Sequence, residues 1–243
     1  MFGRNFYAKA WASRLDHSFD RECPLNMKIS VLCSSTSHPI YPRLESWVRD
    51  AGAGHDVELL QKAAGLSGGD ILFLISCHEI VSLRDREKYG RVLVIHSSDL
   101  PEGRGWSPQI WQILSGRNDL VVSLIEAHDN VDAGPICAQR RLMFEGHELY
   151  DEINARLFSA WIELMDYAVA NAGHLTPAPQ DDRTPTYFRR RTPEDSRLDP
   201  DQSIAAQFEL LRVADPARFP AFFDFRGHRY FVRISKTPEV PDA

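Results

Sequence analysis

His96 closes an apolar run and opens a polar loop rich in turn residues, RVLVIHSSDLPEGRGWSP over residues 91–108. Further on, residues 123–139 read SLIEAHDNVDAGPICAQ, an apolar run opening into a loop with Glu126, His128, Asp129 and Asp132. A carboxylate beside an imidazole favours the protonated ring, and such a pair can move a proton or steady a developing charge. In open α/β sheets the ligand crevice lies beyond the carboxyl ends of the strands, which is where His96 would emerge. Taken alone, a histidine after a strand is more often a packing or hydrogen-bonding residue. Acidic loop residues such as Glu126 and Asp129 are most often solvated. Asp132 differs, because its V-D-A-G turn is pinned between two strands and its carboxylate can face the crevice beside His96.

The elements that must hold this pair are legible as an alternation. Short apolar runs predict strands at 28–35, 55–60, 70–76, 91–96, 120–127 and 138–144, and helical spacing predicts helices at 42–51, 107–115 and 148–171. The first, third and fourth runs are almost continuously apolar, as strands buried on both faces are, which puts them at the centre of a sheet. In the last helix Leu149, Ile153, Leu157, Trp161, Leu164 and Ala168 recur at steps of three or four, and Gly173 supplies a stop. The expectation is an α/β, Rossmann-like domain over 27–175, with a mostly parallel sheet flanked by helices. A Pro-rich polar stretch, 176–186, reads as a linker. Residues 187–243 hold an aromatic and basic segment at 187–191, a helix at 203–213 and a strand at 230–234. They are too few for a core of their own and should form a small α+β extension packed on the main domain or on another subunit.

The chain has 243 residues, 43% hydrophobic and 26% charged, enough for one principal core and an appendage. A net charge of −6 opposes broad attraction to phosphate backbones, so nucleic acid is not the expected partner. No run approaches the roughly twenty apolar residues of a membrane span. Cys23, Cys33, Cys77 and Cys137 form neither a C-x-x-C pair nor a cluster with histidine at metal-ligand spacing. They read as reduced thiols of a cytoplasmic protein, with no metal. Residues 1–26 mix charges and aromatics without a signal-peptide run and read as an extension, Met27 being a candidate natural start.

The two chemical segments together resemble the folate-dependent formyltransferase family, whose members carry N-x-H-x-S-L-L-P followed by a D-x-G turn. Here the first reads Val94, Ile95, His96, Ser97, Ser98, Asp99, Leu100, Pro101, and the second Asp132, Ala133, Gly134. A third stretch, Thr186 to Asp195, is similar to the family's T-Y-F-x-R-R-x-P-x-D. Ordered motifs on predicted strand ends are far more specific than any one alone. The resemblance implies an N-formyltransferase that moves a formyl group from 10-formyltetrahydrofolate to an amine. His96 would stabilise or protonate the tetrahedral centre, and Asp132 would orient His96 and assist proton removal from the amine. It also implies a folate pocket including Cys77, His78, Ile80, Arg104, Asp129 and Asn130. Cys77 reads there as a pocket-lining residue rather than a nucleophile. Arg104 is either a partner for an acidic ligand group or a solvated loop arginine.

One departure stands out. The family's asparagine is Val94 here, and a lost donor of that kind costs about 2.7–4 kcal/mol of barrier. Either Ser98, Ser97, His78 or a backbone N–H replaces it, with Ser98 matching the family's own serine, or the site is inactive.

Among acceptors, the resemblance offers methionyl-tRNA, glycinamide ribonucleotide and nucleotide-linked amino sugars. The first group is expected to carry a larger tRNA-holding barrel, and the second to lack the T-Y-F-x-R-R-x-P segment. Nucleotide-linked amino sugars of surface-polysaccharide or nonulosonic-acid pathways therefore fit best, with Trp106, Tyr187, Arg189, Arg191 and Arg212 as candidates to stack on a base or grip a diphosphate. The alternative for Arg189 to Arg191 is a solvated segment. A homodimer is expected. A methionyl-tRNA formyltransferase-like activity, or a non-catalytic protein that binds folate or a nucleotide sugar, are the alternatives.

Overall fold

The structure, a computed structural model, describes residues 26–237. The expectations for residues 1–25, Cys23 included, lie outside them. The strands are β1 (Lys28–Leu32), β2 (Asp56–Leu60), β3 (Gly69–Leu74), β4 (Tyr89–His96), β5 (Arg104–Gly105), β6 (Asp119–Glu126), β7 (Ile136–Met143), β8 (Tyr187–Phe188), β9 (Ala221–Phe225) and β10 (His228–Val232). The helices are α1 (Tyr41–Ala51), α2 (Leu83–Arg86), α3 (Pro108–Leu114), α4 (Tyr150–Ala170) and α5 (Phe208–Val213).

Six strands form one sheet in the order β2-β1-β3-β4-β6-β7. The first four run parallel, while β6 and β7 are antiparallel to their neighbours. The three continuously apolar runs are β1, β3 and β4, and they take inner positions as expected. Alternation splits them between two faces. Ile29, Val31, Ile71 and Phe73 meet Leu44 and Trp47 of α1 and Leu157, Trp161, Leu164 and Ala168 of α4. Leu32 and Leu72 turn the other way, onto Leu66, Val81 and Tyr89. Each such side chain, fully buried, contributes roughly 1.5–3 kcal/mol. At the start of α4, the Glu152 carboxylate accepts the Leu149 N–H at 2.8 Å, which satisfies an otherwise orphaned helix donor. Among the described residues no helix is long and apolar enough to cross a membrane.

Differences from expectation are local. The helix expected at 203–213 is a 3₁₀ turn, Ala205–Gln207, followed by α5. The single strand expected near 230 is half of a hairpin, β9 with β10. α2, capped by Ser82, is too short to show a period. The extension is fastened to the main domain where Val213 joins Ile110, Ile113, Leu120 and Ile153 in one buried cluster.

The stretch read as a linker does more than leave the domain. Ala178 exchanges both main-chain hydrogen bonds with Ile136, at 2.7 and 2.9 Å. Arg183 donates to the carboxylate of Asp99 at 3.1 Å and the carbonyl of Leu100 at 3.2 Å. β8 then adds parallel to β5. Residues 176–186 are thus laid across the loops that follow β4 and β6.

Candidate active site

His96 is the last residue of β4, opposite Ser123 of β6, and only 6% exposed. Its Nε2 lies 2.8 Å from the Gly103 carbonyl, and its Nδ1 lies 3.5 Å from Asp132 Oδ1. The other carboxylate oxygen of Asp132 accepts the Gly105 N–H at 2.8 Å. The ring therefore stands between two acceptors, and it donates to both only when both nitrogens carry hydrogen. The His96 and Asp132 side chains are 8% and 9% exposed, so their attraction is little screened by water.

Local sequence explains the placement of Asp132. Its φ is +56°, a left-handed conformation that aspartate tolerates better than most residues. Two residues on, a Cβ at Gly134 would stand 1.7 Å from the Glu126 carbonyl oxygen, so only glycine lets the turn fold down onto the end of β6. On the facing loop, Gly105 has φ +96° and a Cβ there would meet the Phe188 carbonyl at 2.4 Å, which is how β8 comes close enough to pair with β5.

The candidates to replace the missing amide at Val94 are sorted by burial. Ser97 and Ser98 are 3% and 1% exposed. Ser97 Oγ accepts the Trp161 indole N–H at 3.1 Å, on the interior side. Ser98 Oγ is buried without a partner, and a Cβ on Gly103 would lie 3.0 Å from Ser98 Cβ. Two residues beyond His96, Ser98 thus holds a buried hydroxyl that no other group occupies. His78 is exposed, its N–H held by Ser34 Oγ at 2.8 Å and its ring 5.4 Å from that of Trp106.

Of the expected folate-side residues, Cys77, His78, Ile80, Asp129 and Asn130 fall on the loops that follow β3 and β6, and Arg104 stands on β5, in the connection after β4. Burial raises the Cys77 pKa, and its thiol donates to the Glu79 carbonyl at 3.3 Å, the behaviour of a neutral lining group. Ile80 is 89% exposed. Asp129 is bound to Arg86, which holds its carboxyl below the usual range and ties the two loops together. Asn130 N–H donates to His128 Nδ1 at 3.1 Å. Arg104 is not simply solvated: it donates to Gln180 Oε1 at 2.6 Å and to the Tyr187 hydroxyl at 3.2 Å, while its Nε is buried without a partner.

The expected arginine grip is redistributed. Arg212 is fully buried, donating to Glu209 at 2.6 Å and to Asn118, so it is a core strut and reaches no ligand. Arg191, 8% exposed, donates to Ser196 Oγ at 3.1 Å and lies over Phe219, and burial lowers its pKa. Arg189 is bound to Asp195 and covers Trp111. Tyr187 remains open, and Trp106 is flanked by His78 and by Arg190, whose guanidinium lies 4.9 Å from its ring centre. Sequence reasoning passed over Arg190 and Arg218. Burial first, then the charges of Arg190 and Arg218, push the His78 pKa down. Burial, then Arg218 and His78, bring that of His38 to about 4. For Arg190 a signal was present, since it stands on the first arginine of the T-Y-F-x-R-R-x-P-x-D stretch while Arg189 falls on a variable position. Arg218, in the tail, carries no periodic or motif signal that would single it out.

No protein-family model matches the chain. Solved structures do. Methionyl-tRNA formyltransferase from Clostridium thermocellum superposes with a TM-score of 0.73 at 20% identity, covering 87% of this chain and 93% of that one. A 4-N formyltransferase from Francisella tularensis gives 0.70 at 16% identity, covering 88% and 99%. The chain has the formyltransferase fold. HypX from Aquifex aeolicus, solved in complex with tetrahydrofolic acid, gives 0.72 at 21% identity over 86% of this chain and 38% of HypX.

Proposed function

We propose that this protein is an N-formyltransferase that takes a formyl group from 10-formyltetrahydrofolate to the amine of a nucleotide-linked amino sugar. The observation that carries the reading is the His96–Asp132 pair, nearly buried at the carboxyl end of β4 in a formyltransferase fold. The residues present fit the donor. Ile80 and Val131, 89% and 62% exposed on the two flanking loops, offer apolar cover for a flat ring, and Cys77 adds a neutral thiol beside them. A tetrahydrofolate carrier supplies an activated formyl carbon, and the chain's own groups handle the proton. Asp132 would take the proton that leaves the amine and protonated His96 would return one to the departing folate nitrogen, so the carbon–nitrogen bond broken is matched by the one formed.

The acceptor class rests on the rim of the cleft. In a chain of net charge −6, Arg190 lies over Trp106 with the His78 ring beside it, a cationic and aromatic combination suited to a diphosphate and a base, while Arg218, whose charge also reaches His78, is paired with Asp215 at 2.6 Å. On this reading the sugar belongs to a surface-polysaccharide or nonulosonic-acid type pathway and the protein works in the cytoplasm. The exposed Phe225 and Tyr230, which share one face of the β9–β10 hairpin, are the surface a second copy would cover in a homodimer.

The test incubates the protein with 10-formyltetrahydrofolate and a panel of UDP- and dTDP-linked amino sugars, with methionyl-tRNA as a further acceptor, and follows tetrahydrofolate release. Turnover with a nucleotide sugar supports the reading. Turnover with methionyl-tRNA alone transfers it to the other acceptor, and binding without turnover on any amine sinks the enzyme.

A further inference from the structure

Gln180 lies in the stretch that sequence reads as a linker, yet its amide makes two hydrogen bonds to the catalytic turn and a third to β5 beside it. Its Nε2 donates to the main-chain carbonyls of Asp132, at 2.7 Å, and Gly134, at 2.9 Å. Its Oε1 accepts from Arg104 at 2.6 Å. The next residue along β5, Gly105, gives its N–H to the Asp132 carboxylate at 2.8 Å. The contacts close a ring from the Asp132 carboxylate through Gly105 and Arg104 to Gln180 and back to the Asp132 carbonyl. Thr186, from the same stretch, accepts the Gly103 N–H at 2.8 Å on its hydroxyl, and the Gly103 carbonyl faces His96 Nε2. Both partners of the His96 ring are therefore held from outside their own loops by residues 176–186.

We propose that Gln180 is a positioning residue that sets the Asp132 carboxylate against His96, a role that rests on the function proposed above. The side chain suits the task chemically. A primary amide has two donors and an acceptor at one end, and the three partners are two carbonyls and a guanidinium. Turning the amide over would face oxygen against both carbonyls and nitrogen against the guanidinium, so the network fixes its orientation. Glutamate keeps the acceptor for Arg104 but sets a carboxylate against two carbonyls, and leucine keeps the shape and loses every bond. Without Gln180, a turn that already holds Asp132 at a positive φ has lost the donor that closes it. The segment itself stays attached, because Ala178–Ile136 and Arg183 anchor it independently.

The experiment compares wild type with Gln180→Leu and Gln180→Glu by steady-state kinetics, thermal unfolding and ¹⁵N NMR of histidine-labelled protein, with His96 ring signals assigned by their loss in His96→Asn. The expected result is a fall in kcat on the order of tenfold or more, since misplacement of about 1 Å can cost a hundredfold. KM values should stay within about twofold, and the His96 ring nitrogens should shift in both variants. Wild-type kcat in either variant overturns the proposal, as do unmoved His96 ring signals, whatever happens to melting temperature. If the wild type turns over no acceptor at all, the functional reading fails, and the ring signals still decide this inference by themselves.

Discussion

Replacing Arg212 with methionine keeps the aliphatic stem and removes the guanidinium, which separates the two roles open to this residue. Arg212 is 0% exposed and bridges α5 to the main domain, donating to Glu209 at 2.6 Å, to Asn118 and to the Glu148 carbonyl at 3.5 Å, with Glu148 Oε2 at 3.8 Å. Breaking a buried pair by removing one partner costs about 3–5 kcal/mol, because the remaining charge loses its compensation. Glu148 softens the loss. Its carboxylate also accepts N–H groups from Glu145 at 2.9 Å and Gly146 at 3.0 Å, and pairs with Arg156 at 3.1 Å. The low end, about 3 kcal/mol, is therefore expected, a large share of the 5–15 kcal/mol that holds a typical domain together and about a hundredfold in the folded-to-unfolded ratio. Urea unfolding of Arg212→Met should show this loss, while the folded fraction keeps its KM for the acceptor. A loss below about 1 kcal/mol, or a raised acceptor KM with stability unchanged, would refute the assignment of Arg212 to the core.

Three other expectations can be checked with the same preparations. His96→Asn and Asp132→Asn should each lower turnover by on the order of a hundredfold or more without lowering the melting temperature, and near-wild-type rates in both would place the chemistry elsewhere. Arg190→Ala should raise KM for the nucleotide-linked acceptor about tenfold and leave that of the folate donor unchanged; an equal effect on both would detach Arg190 from the acceptor side. His38, pushed from 6.5 to about 4 by burial and then by Arg218 and His78, is neutral in the fold across a window where the unfolded chain binds a proton. Stability is then fully present above pH 6.5 and falls as pH drops towards 4, by up to about 1.4 kcal/mol per unit, and His38→Gln should flatten that part of the profile.

What sequence makes legible here is what has a period or a motif. β1, β3 and β4 are apolar at nearly every position because both faces are covered, and the stripe on α4 has the spacing of one helix face, so both can be read before any contact is known. His96 and Asp132 are legible because strand ends and a D-x-G turn leave marks in the chain. The supports of that pair are not. Gln180 and Thr186 act through contacts across more than one loop, and a polar, Pro-rich stretch looks the same whether it wanders or is pinned. Arginines are the hardest case. Arg189, Arg190, Arg191 and Arg212 are chemically identical in the sequence, yet one pairs with Asp195, one lies over Trp106, one is buried on Phe219 and one braces the core. Burial and nearby carboxylates make that distinction, and neither is periodic.

Val94 is where the catalytic reading is most exposed to test, because the resemblance places an amide donor there. Val94 stands two residues before His96 on β4, so it shares the face of the sheet from which His96 projects, with Leu74 and Ile125 as its strand neighbours. Of the proposed replacements, Ser97 already accepts the Trp161 indole N–H, which leaves Ser98, whose Oγ has no partner, His78 or a main-chain N–H. Val94→Asn separates these cases. If the chain works with an oxyanion donor short, restoring the amide should raise kcat, with roughly a hundredfold to a thousandfold as the ceiling set by removal of such donors elsewhere. If His78 already fills the position, the new amide gains nothing, and placing a polar group among Leu74 and Ile125 should cost about 1–3 kcal/mol of stability. In that second case His78→Ala in the wild type should fall in kcat, and Val94→Asn should rescue it. A chain in which neither substitution changes kcat must take its donor from Ser98 or from the main chain.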